Sequence, residues 1–298
     1  MVDLSIIIVT YNTSEMTGKC LKILQKCLSK EEDLSSEVVV VDNASKDNTL
    51  ITLKNIEQLF NEQKIGLTVV HNSQNLGYSK ANNKGASISK GKYLLFLNSD
   101  VLIEDISFKN LLAQLQNDSK LAGLTVKVVL PDGNLDPASH RGFPTIWRSF
   151  SYFSGLEKIF GKIPGLNRLF GGYHLTSRSL KNIHEIDSPT GAFYLIKRDV
   201  FEEVGGFDED FFMYGEDIDL SYRIKSLGYK IIYTPSYKVT HLKYQSGLQS
   251  EDRQTKSKTK QHFYDAMKIF YRKHYERKTP KIITNIIFSV INKKAGTA

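Results

Sequence analysis

The first hundred residues alternate short apolar runs with helix-patterned stretches. Residues 4–10, LSIIIVT, are almost all branched aliphatics, as in a strand buried on both faces. Apolar positions at helical spacing fill 15–28, and a second aliphatic run at 37–41 ends in a polar turn at 42–47. Helical spacing returns at 49–60, and strand-like runs follow at 67–71 and 93–97. This rhythm predicts an α/β fold with a Rossmann-like, mostly parallel central sheet flanked by helices.

The pattern changes over 131–185. Pro, Gly and aromatics increase and periodicity fades, which predicts a variable, partly flexible cover over a site. Regularity resumes with a strand at 191–197, a short helix at 199–204 closed by Gly205-Gly206, a helix at 218–227 ending at Gly228, and a strand at 230–234. A last helical stretch, 256–277, carries Phe263, Met267, Phe270 and His274 on one side.

In sheets of this kind ligands bind outside the carboxyl ends of the strands. Three polar clusters fall at those ends: Thr10-Tyr11-Asn12, Asp42-Asn43-Ala44-Ser45 and Asn98-Ser99-Asp100. Each alone reads as a loop of turn formers, but three at equivalent places predict one shared pocket.

Charge divides the chain in two. Residues 251–298 hold twelve Lys and Arg against four Asp and Glu, whereas the first 250 residues balance, so the net charge of +8 lies in the tail. A neutral body argues against nucleic-acid binding. The tail suits either a solvated helix packed on the body or contact with an anionic lipid surface. Cys20 and Cys27, two helical turns apart, read as small buried hydrophobes in a reducing compartment. No leader-like amino terminus precedes the first strand, and no apolar run reaches the roughly 20 residues of a membrane span. We therefore expect a cytoplasmic protein, able to touch the inner face of a membrane.

Asp100 closes a polar turn after an apolar strand. A carboxylate there either caps the turn or holds Mg²⁺ or Mn²⁺, which favour oxygen ligands and leave room for phosphate oxygens. Gly215-Glu216-Asp217-Ile218-Asp219 opens a helix, where carboxylates complement the dipole. Asp219 is four residues from Arg223 and pairs with it on the helix surface, which leaves Glu216 and Asp217 as candidates for a general base. His241, after a strand-like stretch, is either structural or a further metal ligand.

Taken in order, these residues resemble the family 2 glycosyltransferases of GT-A fold, especially the rhamnosyltransferase-like branch. The likeness runs from Ser5-Ile6-Ile7-Ile8-Val9-Thr10-Tyr11-Asn12 through Val41-Asp42-Asn43-Ala44-Ser45, Asn75-Leu76-Gly77-Tyr78, Asn83-Lys84-Gly85, Asn98-Ser99-Asp100 and Gly191-Ala192. The most specific run is Gly205-Gly206-Phe207-Asp208-Glu209 followed by Gly215-Glu216-Asp217-Ile218-Asp219-Leu220-Ser221-Tyr222-Arg223; His241 and Tyr271-Arg272-Lys273-His274-Tyr275 complete the match.

The resemblance implies an inverting transferase that moves a sugar, rhamnose favoured, from a dTDP- or UDP-sugar to a hydroxyl of a cell-surface or lipid-linked glycan. It implies that Thr10, Tyr11 and Asn12 floor the nucleotide, with Tyr11 stacked on the base, and that Asp42, beside Asn43, hydrogen-bonds the base. It implies that Gly77 admits the nucleotide backbone and Asn83 braces it, with Asn98, Ser99 and Gly191 also lining the donor site. Asp100 matches the last carboxylate of the metal motif, His241 a further Mg²⁺ or Mn²⁺ ligand, and Asp217 the base, with Glu216 as neighbour or alternative. Two positions depart from the family pattern: the metal motif lacks one carboxylate at Asn98, and Asn82 stands where many members carry Arg.

On this reading 1–250 is the GT-A domain, with a nucleotide-sugar half at about 1–130 and an acceptor and catalytic half at about 131–250. Residues 251–298 form a basic helical C-terminal extension. A homo-oligomer is compatible with all of this. A sugar nucleotidyltransferase would need a Gly-rich, Arg-bearing loop where Tyr11-Asn12-Thr13-Ser14 stands, and a dehydrogenase would need GxGxxG after a strand. An inactive, membrane-docked binding scaffold is permitted by the altered metal motif, but the intact Glu216-Asp217 speaks against it.

Overall fold

A computed structural model describes residues 2–63, 65–243 and 253–296. Four parallel strands build the first half of the sheet: β1 (Leu4–Thr10), β2 (Ser36–Asp42), β3 (Gly66–His71) and β4 (Tyr93–Asn98), in the order β3-β2-β1-β4. They are joined by α1 (Ser14–Leu28), α2 (Thr49–Glu62) and α3 (Tyr78–Ile88). Because successive strand side chains alternate between faces, Ile6, Ile8, Val38 and Val40 pack with Leu21, Leu24, Leu53 and Phe60 of α1 and α2. Ile7 points the other way, towards Ala86 and Phe96. Burial on both faces accounts for the unbroken aliphatic runs.

The second half of the sheet is mixed. β8 (Phe193–Lys197) lies antiparallel to β4, β6 (Leu121–Val129) lies antiparallel to β8, and β9 (Lys230–His241) runs parallel to β6. The antiparallel edge strands β5 (Val101–Asp105) and β7 (His184–Ile186) both pair with β9. The register of β9 jumps between Thr234 and Lys238, around Pro235, as a bulge bends a strand. The bend carries the end of β9 to β5, where His241 pairs with Val101.

Helix α4 (Phe108–Gln116) covers one face of the sheet, with Phe108, Leu111 and Leu115 in the core. α8 (Arg198–Glu203) and α9 (Glu216–Ser226) lie with the other core, through Phe201 and Leu220. The aperiodic segment folds into three short helices, α5 (Ile146–Phe153), α6 (Leu156–Phe160) and α7 (Leu166–Phe170). Helices of five to eight residues make too few turns for a 3.6-residue period to stand out. The chain then closes with α10 (Arg253–His274) and α11 (Lys281–Ala295).

Helix α10 packs on the body. Phe270 and Ala266 meet Ile218 and Phe211 in a separate small core, and His274 Nε2 sits 2.7 Å from Asp219 Oδ1. Arg223 binds Asp219 at 2.8 Å as the four-residue spacing predicts, but Asp219 is fully buried under α10 rather than on the helix surface. Both cysteines are buried and free, and burial pushes the Cys20 thiol up to about 12. The proposed boundary at 250 lies outside the described residues. Among the described residues no helix is long and apolar enough to cross a membrane.

Candidate active site

β1 is the point at which strand order reverses, with β2 on one side and β4 on the other, and such a switch leaves a crevice at the carboxyl ends of the strands. A cavity of about 1220 Å³ opens there. Ten of the fourteen residues singled out from the sequence line it: Tyr11, Asn43, Gly77, Asn98, Ser99, Asp100, Gly191, Glu216, Asp217 and His241. Asp100 and Asp217, more than a hundred residues apart in the chain, thus face one space.

The other four do not line the cavity. Thr10 is buried and shares hydroxyl hydrogen bonds with Thr13 and Thr17. Asn12 takes a left-handed φ of 53° and accepts from the backbone N–H of Lys46 at 2.6 Å, locking the first strand-end loop to the second. Asp42 is fully buried, accepts from the Ser45 N–H, and lies 2.6 Å from His71 Nδ1. Asn83 spends its side chain on the Gly205–Glu209 turn: its amide donates to the Phe207 carbonyl at 2.8 Å, and its oxygen accepts from the Phe207 N–H at 2.9 Å. Asn82 donates to the Tyr78 carbonyl and is buried.

Gly77 has a local reason for being glycine. Its φ is +84°, and a Cβ there would come 2.6 Å from the Phe212 carbonyl oxygen. The turn before α3 therefore has to be glycine to dock on Phe212. Tyr78 follows, and its hydroxyl donates to Asn98 Oδ1 and the Gly191 carbonyl, both at 3.0 Å.

The Asp100 corner is a linked set of charges. Asp100 Oδ1 lies 3.3 Å from His241 Nε2, while Oδ2 accepts from the Lys243 N–H at 3.1 Å. His241 Nδ1 lies 2.8 Å from Asp136 Oδ2, and Lys243 Nζ reaches the other Asp136 oxygen at 2.8 Å. Burial disfavours a charged imidazole, but the hydrogen bonds to Asp100 and Asp136 outweigh it and push His241 up to about 9. Burial also opposes ionisation of Asp136, yet bonds from His241 and Lys243 hold its carboxyl well below the usual carboxylate range.

Among the described residues no group of three or more His, Cys, Asp and Glu could hold a metal ion. Two donors, Asp100 and His241, do share one wall. That set suits a cation that completes its shell with water and phosphate oxygens. Asp136, 2.8 Å from His241 Nδ1, is placed to orient that imidazole were Nε2 to take a metal. Ligation requires His241 to lose its proton.

The first turn of α9 lines the same cavity. Gly215, at φ +80°, breaks the chain into the helix so that Glu216 and Asp217 lie buried at its amino end. Asp217 Oδ2 accepts from Arg141 Nη2 at 2.6 Å and from the Gly191 N–H at 3.2 Å, and Oδ1 accepts from the Ile218 N–H at 2.8 Å. Arg141 also donates to the Pro189 carbonyl at 2.6 Å. Glu216 Oε2 and Arg141 Nε are buried without a hydrogen-bond partner, so both are available to a ligand in the cavity. Burial, then the Asp217 charge, pushes the Glu216 carboxyl up to about 8.

The pattern of the sequence did not point to Asp136, Arg141 or Lys243. Asp136 and Arg141 lie in the aperiodic stretch, and their partners are 105 and 76 residues away. The only local signal is that Asp136 precedes a proline and caps a short 3₁₀ turn, accepting from the Ala138 N–H.

Known proteins share this arrangement to different depths. Residues 5–205 match the family described as glycosyl transferase family 2, and 145–273 match glycosyl transferase family group 2. The chain is 27% identical to N-acetylglucosaminyl-diphospho-decaprenol L-rhamnosyltransferase of Mycobacterium tuberculosis over 80% of its own length and 76% of the relative. It is 28% identical to rhamnosyltransferase WbbL of Escherichia coli over 79% and 82%. It is also 28% identical to the O-antigen biosynthesis protein RfbC of Myxococcus xanthus, over 69% of this chain but only 15% of that longer one.

The solved mannosyltransferase PcManGT of Pyrobaculum calidifontis, in complex with GDP-Man and Mn²⁺, superposes with a TM-score of 0.57 at 16% identity. That match covers 97% of this chain and 69% of PcManGT. GalNAc-T7 with UDP, GalNAc and Mn²⁺ gives 0.60 at 16% identity, over 99% and 55%. At these identities the structures speak for the GT-A-like fold alone. With a family match across two thirds of its residues, the strand-end pocket and the Glu216-Asp217 helix start in place, this chain belongs to glycosyl transferase family 2 and is a glycosyltransferase.

Proposed function

We propose that the protein is an inverting transferase that moves a sugar, rhamnose favoured, from a dTDP- or UDP-sugar to a hydroxyl of a lipid-linked or cell-surface glycan. The observation that carries this reading is the shared cavity: the Asp100–His241 pair and Asp217 are all buried and all line it. The naming of two relatives as rhamnosyltransferases supports the choice of sugar. The diphospho-decaprenol in one of those names supports a lipid-linked acceptor.

Asp100 and His241 would hold Mg²⁺ or Mn²⁺, whose charge offsets that developing on the departing diphosphate. Asn43, Gly77 and Tyr11 line the donor end, with Tyr11 exposed enough to stack on a base. Asp42 and His71 stiffen the loop behind them. Asp217 takes the proton of the acceptor hydroxyl as its oxygen attacks the anomeric carbon from the face opposite the leaving group, so the configuration inverts. Arg141 and the Gly191 N–H fix that carboxylate in one orientation, which is how a base is held ready. Glu216, carrying a proton near neutral pH, donates a hydrogen bond to the acceptor.

Thermal unfolding with a panel of dTDP-, UDP- and GDP-sugars, each with and without Mn²⁺, tests the donor assignment. A rise in Tm with dTDP-rhamnose or a UDP-sugar that depends on Mn²⁺ and is reversed by EDTA is expected. Stabilisation by GDP-sugars alone, or by every sugar equally without metal, would refute it.

A further inference from the structure

The cavity is larger than a donor requires. Small-molecule pockets usually fall within roughly 300–1,000 Å³, and this one continues past Asp217 into a region walled by hydrocarbon. Trp147, Phe150 and Phe153 of α5 and Ile283, Ile286 and Val290 of α11 line it, with apolar side chains of α10 beside them. The two helices approach each other where Lys294 Nζ lies 5.4 Å from the centre of the Phe153 ring. Several of these side chains stand open to solvent: Phe150 is 55% exposed, Ile286 58% and Val290 50%. An apolar surface of this size on a folded chain marks a place where apolar matter is bound.

The surroundings indicate what binds. On α5 to α7 the exposed charges are Lys158, Lys162 and Arg168, while Glu157 is buried against His174. On α11 the charged residues are Lys281, Lys293 and Lys294. Both walls therefore combine hydrocarbon with cations and present no exposed carboxylate. Further exposed aliphatics are Ile159 on α6, Ile163 between α6 and α7, Leu169 on α7 and Ile282 on α11. An apolar face with a basic border suits an anionic lipid surface, and the cavity lined by α5 and α11 is the one that Asp217 lines.

We propose that this slot takes the hydrocarbon chain of a lipid-linked acceptor, drawn from a membrane leaflet on which α5 to α7 and α11 rest. The inference rests on the lipid-linked acceptor of the preceding section and adds its location. The chain lies between α5 and α11 and feeds the sugar end to Asp217, beside the unpaired Glu216 Oε2 and Arg141 Nε. Binding the chain helps hold the reacting hydroxyl at the base, so remote apolar contact assists transfer.

Trp147 is the single tryptophan of the chain and lines the slot, so its fluorescence reports occupancy. Full-length protein is titrated with geranylgeranyl diphosphate below its aggregation threshold, with inorganic diphosphate, and with phosphatidylglycerol vesicles. A saturable blue shift with geranylgeranyl diphosphate and none with inorganic diphosphate is expected. Ile286→Asp and Val290→Asp, one helical turn apart on α11, should each weaken it at least ten-fold. Ile51→Asp, 61% exposed on the distant α2, should leave it unchanged.

An equal shift with inorganic diphosphate, or undiminished binding in both α11 variants, overturns the proposal. So does a shift with vesicles and none with geranylgeranyl diphosphate, which would make the face a membrane seat only. The transferase reading is tested separately by sugar transfer: saturable lipid binding without any transfer would refute that reading and leave the slot standing.

Discussion

The polar wall of the cavity, at the ends of β1, β2 and β4, and the apolar wall, on α5 to α7 and α11, are held in different ways. On the polar wall nearly every side chain is fixed by backbone or by a second charged group: Asp100 by the Lys243 N–H and His241, Asn43 by the Leu76 N–H, Asp217 by Arg141 and the Gly191 N–H. On the apolar wall the aliphatics of α11 face open space on one side. Fixed polar groups stabilise charge at a defined place without reorganising. An open hydrocarbon surface gains its free energy from whatever covers it and tolerates many shapes. The site thus joins a rigid chemical end to a permissive binding end.

The largest effect that would sharpen this contrast is on chemistry. Asp217→Asn should lower kcat by about 10²–10⁴-fold, the usual contribution of a general base, while Mn²⁺-dependent stabilisation by donor survives. Near-normal transfer by the Asn variant would remove Asp217 from the mechanism.

The next effect is structural. Arg141→Met leaves the Asp217 carboxylate buried without its guanidinium and should cost about 3–5 kcal/mol in urea unfolding, the usual penalty for an orphaned buried charge. Most of that loss should return in the double variant Arg141→Met with Asp217→Asn. If the two losses simply added, the 2.6 Å pair would not be what holds this wall.

A third test uses pH. In the folded protein Glu216 keeps its proton up to about 8, against an ordinary value of 4.5. Between those values the folded state binds more protons than the unfolded chain, so stability falls as pH rises, by at most about 1.4 kcal/mol per unit. Glu216→Gln removes that loss. Its Tm should exceed that of the parent protein at pH 8, and the gap should close towards pH 4.5. A gap of the same size at both ends would show that Glu216 does not titrate in this range.

The smallest effect belongs to the apolar wall. Ile8→Ala in the fully buried β1 should cost about 2–5 kcal/mol, whereas Ile286→Ser, mostly exposed, should change stability by about 0.5 kcal/mol or less. Equal costs, measured by urea unfolding, would mean that α11 belongs to the core.

Residues whose placement follows from a strand end were legible one by one. A buried strand has a fixed direction and a fixed neighbour, so Asn43, Asn98, Ser99 and Asp100 fall at its carboxyl end wherever the rest of the chain goes. Asp219 and Arg223 were legible because a helix sets the distance between residues four apart. Asn83 differs, because its site in the motif says nothing of what its amide meets. Only the fold brings the Phe207 backbone to it. The strands β5 and β6 escaped the pattern, since β5 is only five residues long and follows the Asp100 turn directly, and Gly123, Thr125 and Lys127 interrupt the apolar run of β6.

The amino-acid sequence by itself determined the helix-flanked sheet, the three strand-end clusters, the family and the pairing within α9, because all of these rest on local periodicity, short spacings or ordered motifs. The tertiary structure alone decided that the bend in β9 sets His241 beside Asp100, that Arg141 grips Asp217, and that α5 and α11 line the same cavity as Asp217. Those contacts join segments far apart in the chain, and no local propensity encodes them. They follow from how the two halves of the sheet pack and where the closing helices come to rest.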